Sequence, residues 1–408
     1  MNKLTSLSLG LVALAAGAGH ALAQPEYDQV EKGRYLAVVG DCTACHSTAP
    51  DKPFSGGFRI DTPFGALLGA NITPDKETGI GNWTFDDFQR AMSEGIGHGG
   101  KRLYGAMPFT AYTKMTREDN QALWAYLQTL QPIHNPVETN QLPFPFNIRL
   151  SLIGWNWLNF NQGAFTPNLQ KSAQWNRGAY LVEGPGHCGT CHTPKNLTGG
   201  DKEGQFLAGG QLGAWWAPDI TANEHTGIGK WTEEDLIAYL RTGVNHYDIA
   251  SGPMAEEVEH SSQHWKAEDL QAVAVYLKDS GHRSDTKAPQ PLAVDDPRMV
   301  TGKAIYFDRC SACHNSSGSG EKNIFPRLAD NPLIRASQPT SLINVVLAGS
   351  RGGSTDARPT GPAMPSFAWN LDDQQVANVL TYIRNSWGNA AAPVDPGDVK
   401  ALRQALKP

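Results

Sequence analysis

All six cysteines of the chain fall in three pairs, and each pair is closed by a histidine: Cys42-Thr43-Ala44-Cys45-His46, Cys188-Gly189-Thr190-Cys191-His192 and Cys310-Ser311-Ala312-Cys313-His314. A bare C-x-x-C suits a redox disulfide or half of a tetrahedral zinc site. Zinc, however, needs a second ligand pair and no cysteine is left over, while a disulfide gives no reason for a histidine after every pair. C-x-x-C-H is the attachment signature of a c-type haem. On a helix the two thiols stand about one turn apart, within reach of the two vinyl groups on one porphyrin edge, and the adjacent imidazole faces the iron. The expectation is three covalently bound haem c groups, on Cys42 and Cys45, Cys188 and Cys191, and Cys310 and Cys313, with His46, His192 and His314 as iron ligands. A chain that must wrap three large planar groups needs a small core around each. The expected fold is all-α, three small domains in tandem with long irregular loops.

The chain repeats itself in the way this predicts. Asn71-Ile72-Thr73-Pro74 is answered by Asp219-Ile220-Thr221-Ala222, and Thr78-Gly79-Ile80-Gly81-Asn82-Trp83-Thr84 by Thr226-Gly227-Ile228-Gly229-Lys230-Trp231-Thr232. The third segment lacks this block and is a diverged copy. A helical stretch containing a glycine (Gly33, Gly178, Gly302) precedes each cysteine motif. An amphipathic helix closes each unit, over Arg117 to Leu130, Lys266 to Lys278 and Asp372 to Asn385, each with a tyrosine on its apolar face (Tyr126, Tyr276, Tyr382). Opening and closing helices can cross closely where a glycine admits the ring; these tyrosines read as packing. The expected organisation is a leader at 1–23, units at 24–131, 173–281 and 297–389, linkers at 132–172 and 282–296, and a tail at 390–408.

The leader reading rests on Lys3, the apolar run Leu7 to Ala18 and the small-x-small site Ala21-Leu22-Ala23, and predicts an exported chain, in keeping with its cysteine chemistry. No later run reaches the length of a membrane span. The formal charge is −6, with basic residues dispersed, which excludes a phosphate-binding stripe and makes nucleic acid an improbable partner. The first linker is unusual: Leu142-Pro143-Phe144-Pro145-Phe146-Asn147-Ile148 leads into Leu152-Ile153-Gly154-Trp155-Asn156-Trp157-Leu158-Asn159-Phe160. So much aromatic surface must pack on something, either the neighbouring domains or a docking partner or membrane interface.

A sixth iron ligand is expected from methionine. Met107, Met254 and Met364 follow their histidines by 61, 62 and 50 residues, and each adjoins a proline, which would stiffen a loop holding a thioether over the iron. Single methionines are usually core fillers; three at matching positions favour ligation. His98 and His246 also match between repeats, and a pocket hydrogen bond suits them better than ligation. Iron sealed by His and Met favours electron transfer over peroxide chemistry, and no catalytic constellation for a substrate is evident.

With these motifs in hand, the chain resembles the triple-haem cytochrome c subunits of membrane-bound bacterial dehydrogenases for alcohols, sugars and sugar acids, such as gluconate 2-dehydrogenase. The likeness spans nearly the whole chain and is carried by the three C-x-x-C-H motifs, the Asn71–Pro74 and Thr78–Trp83 blocks, Ala106-Met107-Pro108-Phe109, and the Pro145-Phe146-Asn147 to Trp155-Asn156-Trp157 linker. The resemblance implies three tandem cytochrome c domains on the periplasmic side of the inner membrane. It further implies a large flavin- or quinone-dependent dehydrogenase subunit as partner, with or without a small subunit, and ubiquinone as the acceptor of single electrons. A free-standing multi-haem peroxidase and a soluble electron shuttle are the alternatives.

Overall fold

The computed structural model describes residues 13–280 and 289–407. Positions 1–12 of the expected leader and 282–288 of the second linker lie outside the described residues. Those described are mainly helical, with strands of two to five residues.

Three opening helices, Ala13–Val39, Ala173–Glu183 and Pro297–Arg309, cross three closing helices, Arg117–Gln128, Ala267–Asp279 and Asp373–Arg384, and these are the most extensive helix pairings in the chain. The closing helices begin where local chemistry dictates. Thr116 accepts from Asp119 N, and Asp372 forms a reciprocal capping box with Gln375; each closing helix also carries an acidic residue in its first turn, as the helix dipole favours. At each crossing sits the glycine expected from sequence. A Cβ at Gly33 would lie 1.9 Å from Ala122 O, at Gly178 2.0 Å from Ala272 O, and at Gly302 2.1 Å from Asn378 O. The Cβ atoms of Tyr126, Tyr276 and Tyr382 flank these points at 2.8, 2.8 and 2.7 Å. The helices therefore touch backbone to backbone, which an alanine would prevent.

The repeated block folds identically in both copies. Asn71 Oδ1 accepts from Thr73 N and Thr73 Oγ1, and Asp219 Oδ1 from Thr221 N and Thr221 Oγ1. Ile80 N then donates to Thr73 O and Ile228 N to Thr221 O, both at 2.9 Å, burying the two isoleucines. Thr84 and Thr232 end the block as capping boxes with Asp87 and Asp235.

The first two helix pairs interlock with approximate two-fold reciprocity. Lys32 pairs with Asp119 (2.5 Å) and Arg177 with Asp269 (2.7 Å) within their own pairs. Across the boundary, Tyr35 donates to Asp269 (2.6 Å) and Tyr180 to Asp119. The hairpin Ala208–Leu212 with Trp215–Asp219 joins the second region to the third: Ser341 Oγ accepts from Trp216 N and donates to Trp216 O, and Asn344 Nδ2 donates to Ala214 O. Residues 390–408, expected as a tail, instead carry the helix Pro396–Ala405, which packs on the last closing helix with Val399 fully buried. The buried Arg384 anchors this end by donating to the carbonyls of Ile334, Ala336 and Ala392. The aromatic linker divides its residues: Leu142 and Leu152 are buried and Trp155 and Phe160 pack on Phe109, whereas other apolar side chains face solvent.

Candidate functional site

Each cysteine motif occupies a single helical turn, Cys42–His46, Gly189–His192 and Ser311–His314, ending on its histidine. The six thiols are unpaired. Burial, with neighbouring negative groups adding to it, pushes Cys42 and Cys188 up to about 12 and Cys45 and Cys310 to about 11, far from the depressed values of redox thiols. Among the described residues no three His, Cys, Asp or Glu side chains converge as a zinc site requires.

The three histidines share one geometry. Nδ1 of His46 lies 2.6 Å from Ala70 O, that of His192 2.7 Å from Pro218 O, and that of His314 3.0 Å from Pro326 O. A carbonyl only accepts, so Nδ1 carries the proton and donates, which leaves the Nε2 lone pair free to bind a metal. Burial lowers the pKa of all three rings and holds them neutral, the form that ligates. The carbonyl partners were not foreseen, although a signal was present: Ala70 and Pro218 immediately precede Asn71 and Asp219, the first residues of the repeated block. That block aims a carbonyl at the histidine. Two glycines press close behind, since a Cβ at Gly69 would meet Cys45 O at 1.8 Å and one at Gly210 would meet Cys191 O at 2.4 Å. The third histidine takes its carbonyl from only 12 residues downstream, so it has no use for the block that its segment lacks. Two thiols and a neutral, oriented imidazole on one turn fit a c-type haem, whose iron would be held by Nε2.

The described methionines divide into two sets. Met92, Met115 and Met299 are core residues, at most 5% exposed, whereas Met107, Met254 and Met364 are all half-buried. Met107 packs against the buried cluster that contains Met92 and Met115, and Met364 against the one that contains Met299. Met364 stands in the two-residue strand Ala363–Met364 opposite Ser350. Met254 departs from the expected loop: Pro253 starts the helix Pro253–His260, as proline does readily at a first helical position, and Met254 is its second residue. His98 and His246 make hydrogen bonds at the surface rather than in a pocket. His98 Nδ1 lies 3.0 Å from Asp87 Oδ2, and Arg327 Nη1 donates to His246 Nε2 at 3.0 Å.

Sequence reasoning also missed what joins the first two motifs. His187, just before Cys188, places Nε2 3.1 Å from Gly40 O, two residues before Cys42, with Tyr112 edge-on to its ring. Beside this bridge Asp41 is raised to about 8, by burial first and the Glu257 charge second, and its Oδ1 has no hydrogen-bond partner. The two attachment segments thus stand back to back in one buried region.

The cytochrome c family profile matches residues 299–387. The gluconate 2-dehydrogenase cytochrome c subunit of Pantoea cypripedii is 38% identical over 99% of this chain and 95% of its own. The cytochrome c subunit of the quinone alcohol dehydrogenase of Gluconobacter oxydans (strain 621H) is 35% identical over 98% and 87%, and the fructose dehydrogenase cytochrome subunit of Gluconobacter japonicus 36% identical over 93% and 83%. With an oriented histidine beside two free thiols on each motif turn, the chain belongs to the family of cytochrome c subunits of gluconate, quinone-dependent alcohol and fructose dehydrogenases.

Proposed function

We propose that this chain is the electron-transfer subunit of a dehydrogenase complex oxidising an alcohol, sugar or sugar acid, carrying single electrons through three haem c groups to ubiquinone or the respiratory chain. The observation that carries the reading is the threefold recurrence of one geometry, an Nδ1–H···O=C tether on the histidine of every C-x-x-C-H turn. Bound haem supplies a reversible one-electron couple. Cys42 and Cys45, Cys188 and Cys191, and Cys310 and Cys313 would hold it through thioethers, Nε2 of His46, His192 and His314 would bind its iron, and Met107, Met254 and Met364 would supply the further iron ligands. The half-exposure of those three methionines, set against the full burial of the other three, supports this assignment. Three tandem cytochrome c domains, at 24–131, 173–281 and 297–389, accommodate one centre each.

The partner is a large flavin- or quinone-dependent subunit that contributes the substrate site, and the complex works on the periplasmic side of the inner membrane after removal of the 1–23 leader. Among the described residues no helix is long and apolar enough to cross a membrane; the reading we adopt is peripheral attachment or attachment through the partner. The test is a spectral one on membranes containing the native complex. Addition of the partner's substrate reduces the haem α-bands, and a short-chain ubiquinone reoxidises them, while the purified chain alone shows neither substrate oxidation nor peroxide turnover. Rapid peroxide turnover by the isolated chain with a high-spin spectrum contradicts the reading.

A further inference from the structure

The turns that carry the first two cysteine pairs meet along a seam. The residue ahead of each pair, Asp41 before Cys42 and His187 before Cys188, has a left-handed backbone, with φ of 43° and 37°. Few residues other than glycine adopt that conformation, although Asp, Asn and His do so more readily than most. His187 Nε2 lies 3.1 Å from Gly40 O, and Tyr112 Oη donates to the same carbonyl at 3.4 Å. Asp41, next in the chain, is less well served: among the described residues its Oδ1 finds no donor, although that atom is closed off from solvent. A buried carboxylate oxygen without a donor is costly unless the group takes up a proton. Haem attachment and iron ligation make no use of this carboxyl.

Its neighbours favour the protonated form. The helix Pro253–His260 packs on the turn Cys42–His46 and brings Glu257 and Glu256 towards Asp41, with Ser262 Oγ donating to Glu257 Oε2 at 2.9 Å. Burial first, then the charges of Glu257 and Glu256, raise Asp41 to about 8, against the pull of the Ala44 amide. The other titratable groups along the seam carry no charge near neutral pH. Burial raises Tyr112 and lowers His187, and Cys42 and Cys45 would become thioethers once haem is attached. Asp41 acts on Cys42 and Cys45, and Glu257 on Cys188, so the acid cluster lies beside the first two attachment points. The third turn carries Arg309 ahead of its cysteine pair, bound to Asp308 at 2.8 Å.

We propose that Asp41 is a redox-linked proton site: its carboxylate takes a proton from solvent when an electron reaches the first two haem centres, and releases it when the electron leaves. The balance is one electron to iron, ferric to ferrous, and one proton from solvent to a carboxylate oxygen; reoxidation by the acceptor reverses both. The proposal rests on the electron-transfer reading above and adds a proton to it. Its driving force is electrostatic, since the added electron cancels a positive charge beside the carboxylate. At a separation on the order of 10 Å and an effective dielectric of about 20, one unit charge alters a proton affinity about tenfold. For a one-electron couple a tenfold change converts to about 59 mV.

The test is potentiometric, on the full haem-loaded chain, from about pH 5 to about pH 10. A midpoint potential among the first two centres is expected to fall as pH rises, by about 59 mV in all for a tenfold linkage, across a window around the Asp41 value of about 8. The third centre, assigned by its loss when Cys310 and Cys313 are replaced by serine, is expected to hold its potential there. Asp41→Asn keeps the size of the side chain and suits the left-handed backbone, so it should fold and abolish the fall. Glu257→Gln should move the window to lower pH, because it removes a charge that raises Asp41. Proton uptake on electrochemical reduction in weak buffer supplies the second measurement, and Asp41→Asn should take up fewer protons than the parent.

Parent potentials that stay flat across the window overturn the proposal, as does an Asp41→Asn chain with the parent's pH dependence and proton uptake. So does a Glu257→Gln chain in which the dependence vanishes, since the proton then resides on Glu257. Each of these failures leaves electron transfer standing, provided that substrate still reduces the haems in the native complex; haems that substrate does not reduce count against that reading instead.

Discussion

Substituting Gly178 by alanine sets two effects of opposite sign against each other. Helix propensity alone predicts stabilisation by about 0.8–1 kcal/mol. The added Cβ, however, would lie 2.0 Å from Ala272 O, and a carbon and a carbonyl oxygen need about 3.3 Å. The helices Ala173–Glu183 and Ala267–Asp279 must then separate by about 1.3 Å, along the contact that buries Ala179, Val182, Val273 and Tyr276. Overpacking of this kind costs about 1–3 kcal/mol, and opening the crossing adds the dispersion lost between the two backbones. The clash wins, and net destabilisation of about 1–2 kcal/mol is expected. The control is built into the same chain: Gly154, helical and exposed, meets nothing within 4 Å of an added Cβ, so Gly154→Ala should be neutral or stabilise by up to about 1 kcal/mol. Thermal unfolding of the haem-loaded protein by circular dichroism reads both, at about 2–4 °C per kcal/mol. A Gly178→Ala protein that melts at or above the parent temperature refutes the account of the crossing.

Burial raises Asp41 to about 8 and Asp248 and Glu257 to about 7, so the folded chain holds protons that the unfolded chain has released. Their stabilising contribution is complete below the ordinary carboxylate range near pH 4 and is lost as pH rises through 7 to 8, by about 1.4 kcal/mol per pH unit for each such group. The depressed histidines act only below about pH 6.5, so denaturant midpoints should fall between pH 6.5 and 8, and Asp41→Asn should flatten that fall. Arg384→Met leaves the carbonyls of Ile334, Ala336 and Ala392 without their buried donor and should destabilise the C-terminal region by about 3 kcal/mol or more, measured by urea unfolding. His187→Leu removes the bond to Gly40 O and should alter the potentials of the first two centres while leaving the third unchanged, as read by spectroelectrochemical titration.

How much was legible in the sequence depended on whether a feature was local. The motif turns, the crossing glycines and the ends of the closing helices follow from short-range chemistry, and the expected bounds agree with the observed helices to within one or two residues. The repeated Thr-Gly-Ile-Gly block was visible as a repeat, but its purpose was not, because the carbonyl it delivers belongs to the residue before it and meets a histidine more than twenty positions away. Met254 was expected in a loop because proline beside methionine suggested rigidity without helix; at a first helical position proline initiates instead. The C-terminal helix lies beyond the repeated frame that marks the three units, and its apolar residues, Val399 among them, find their place only by packing on the last closing helix. Contacts such as His187 with Gly40, or Tyr35 with Asp269, join residues over a hundred positions apart, and no pattern along the chain announces them.

The central claim, one covalent porphyrin on every C-x-x-C-H turn, is tested most directly by the intact mass of the mature protein under denaturing conditions. The predicted value is the leaderless polypeptide plus three haem masses, falling by one haem mass when either Cys42 and Cys45, Cys188 and Cys191, or Cys310 and Cys313 are replaced by serine. A mass equal to the bare polypeptide, or one that any of these double substitutions leaves unaltered apart from the serines, contradicts it.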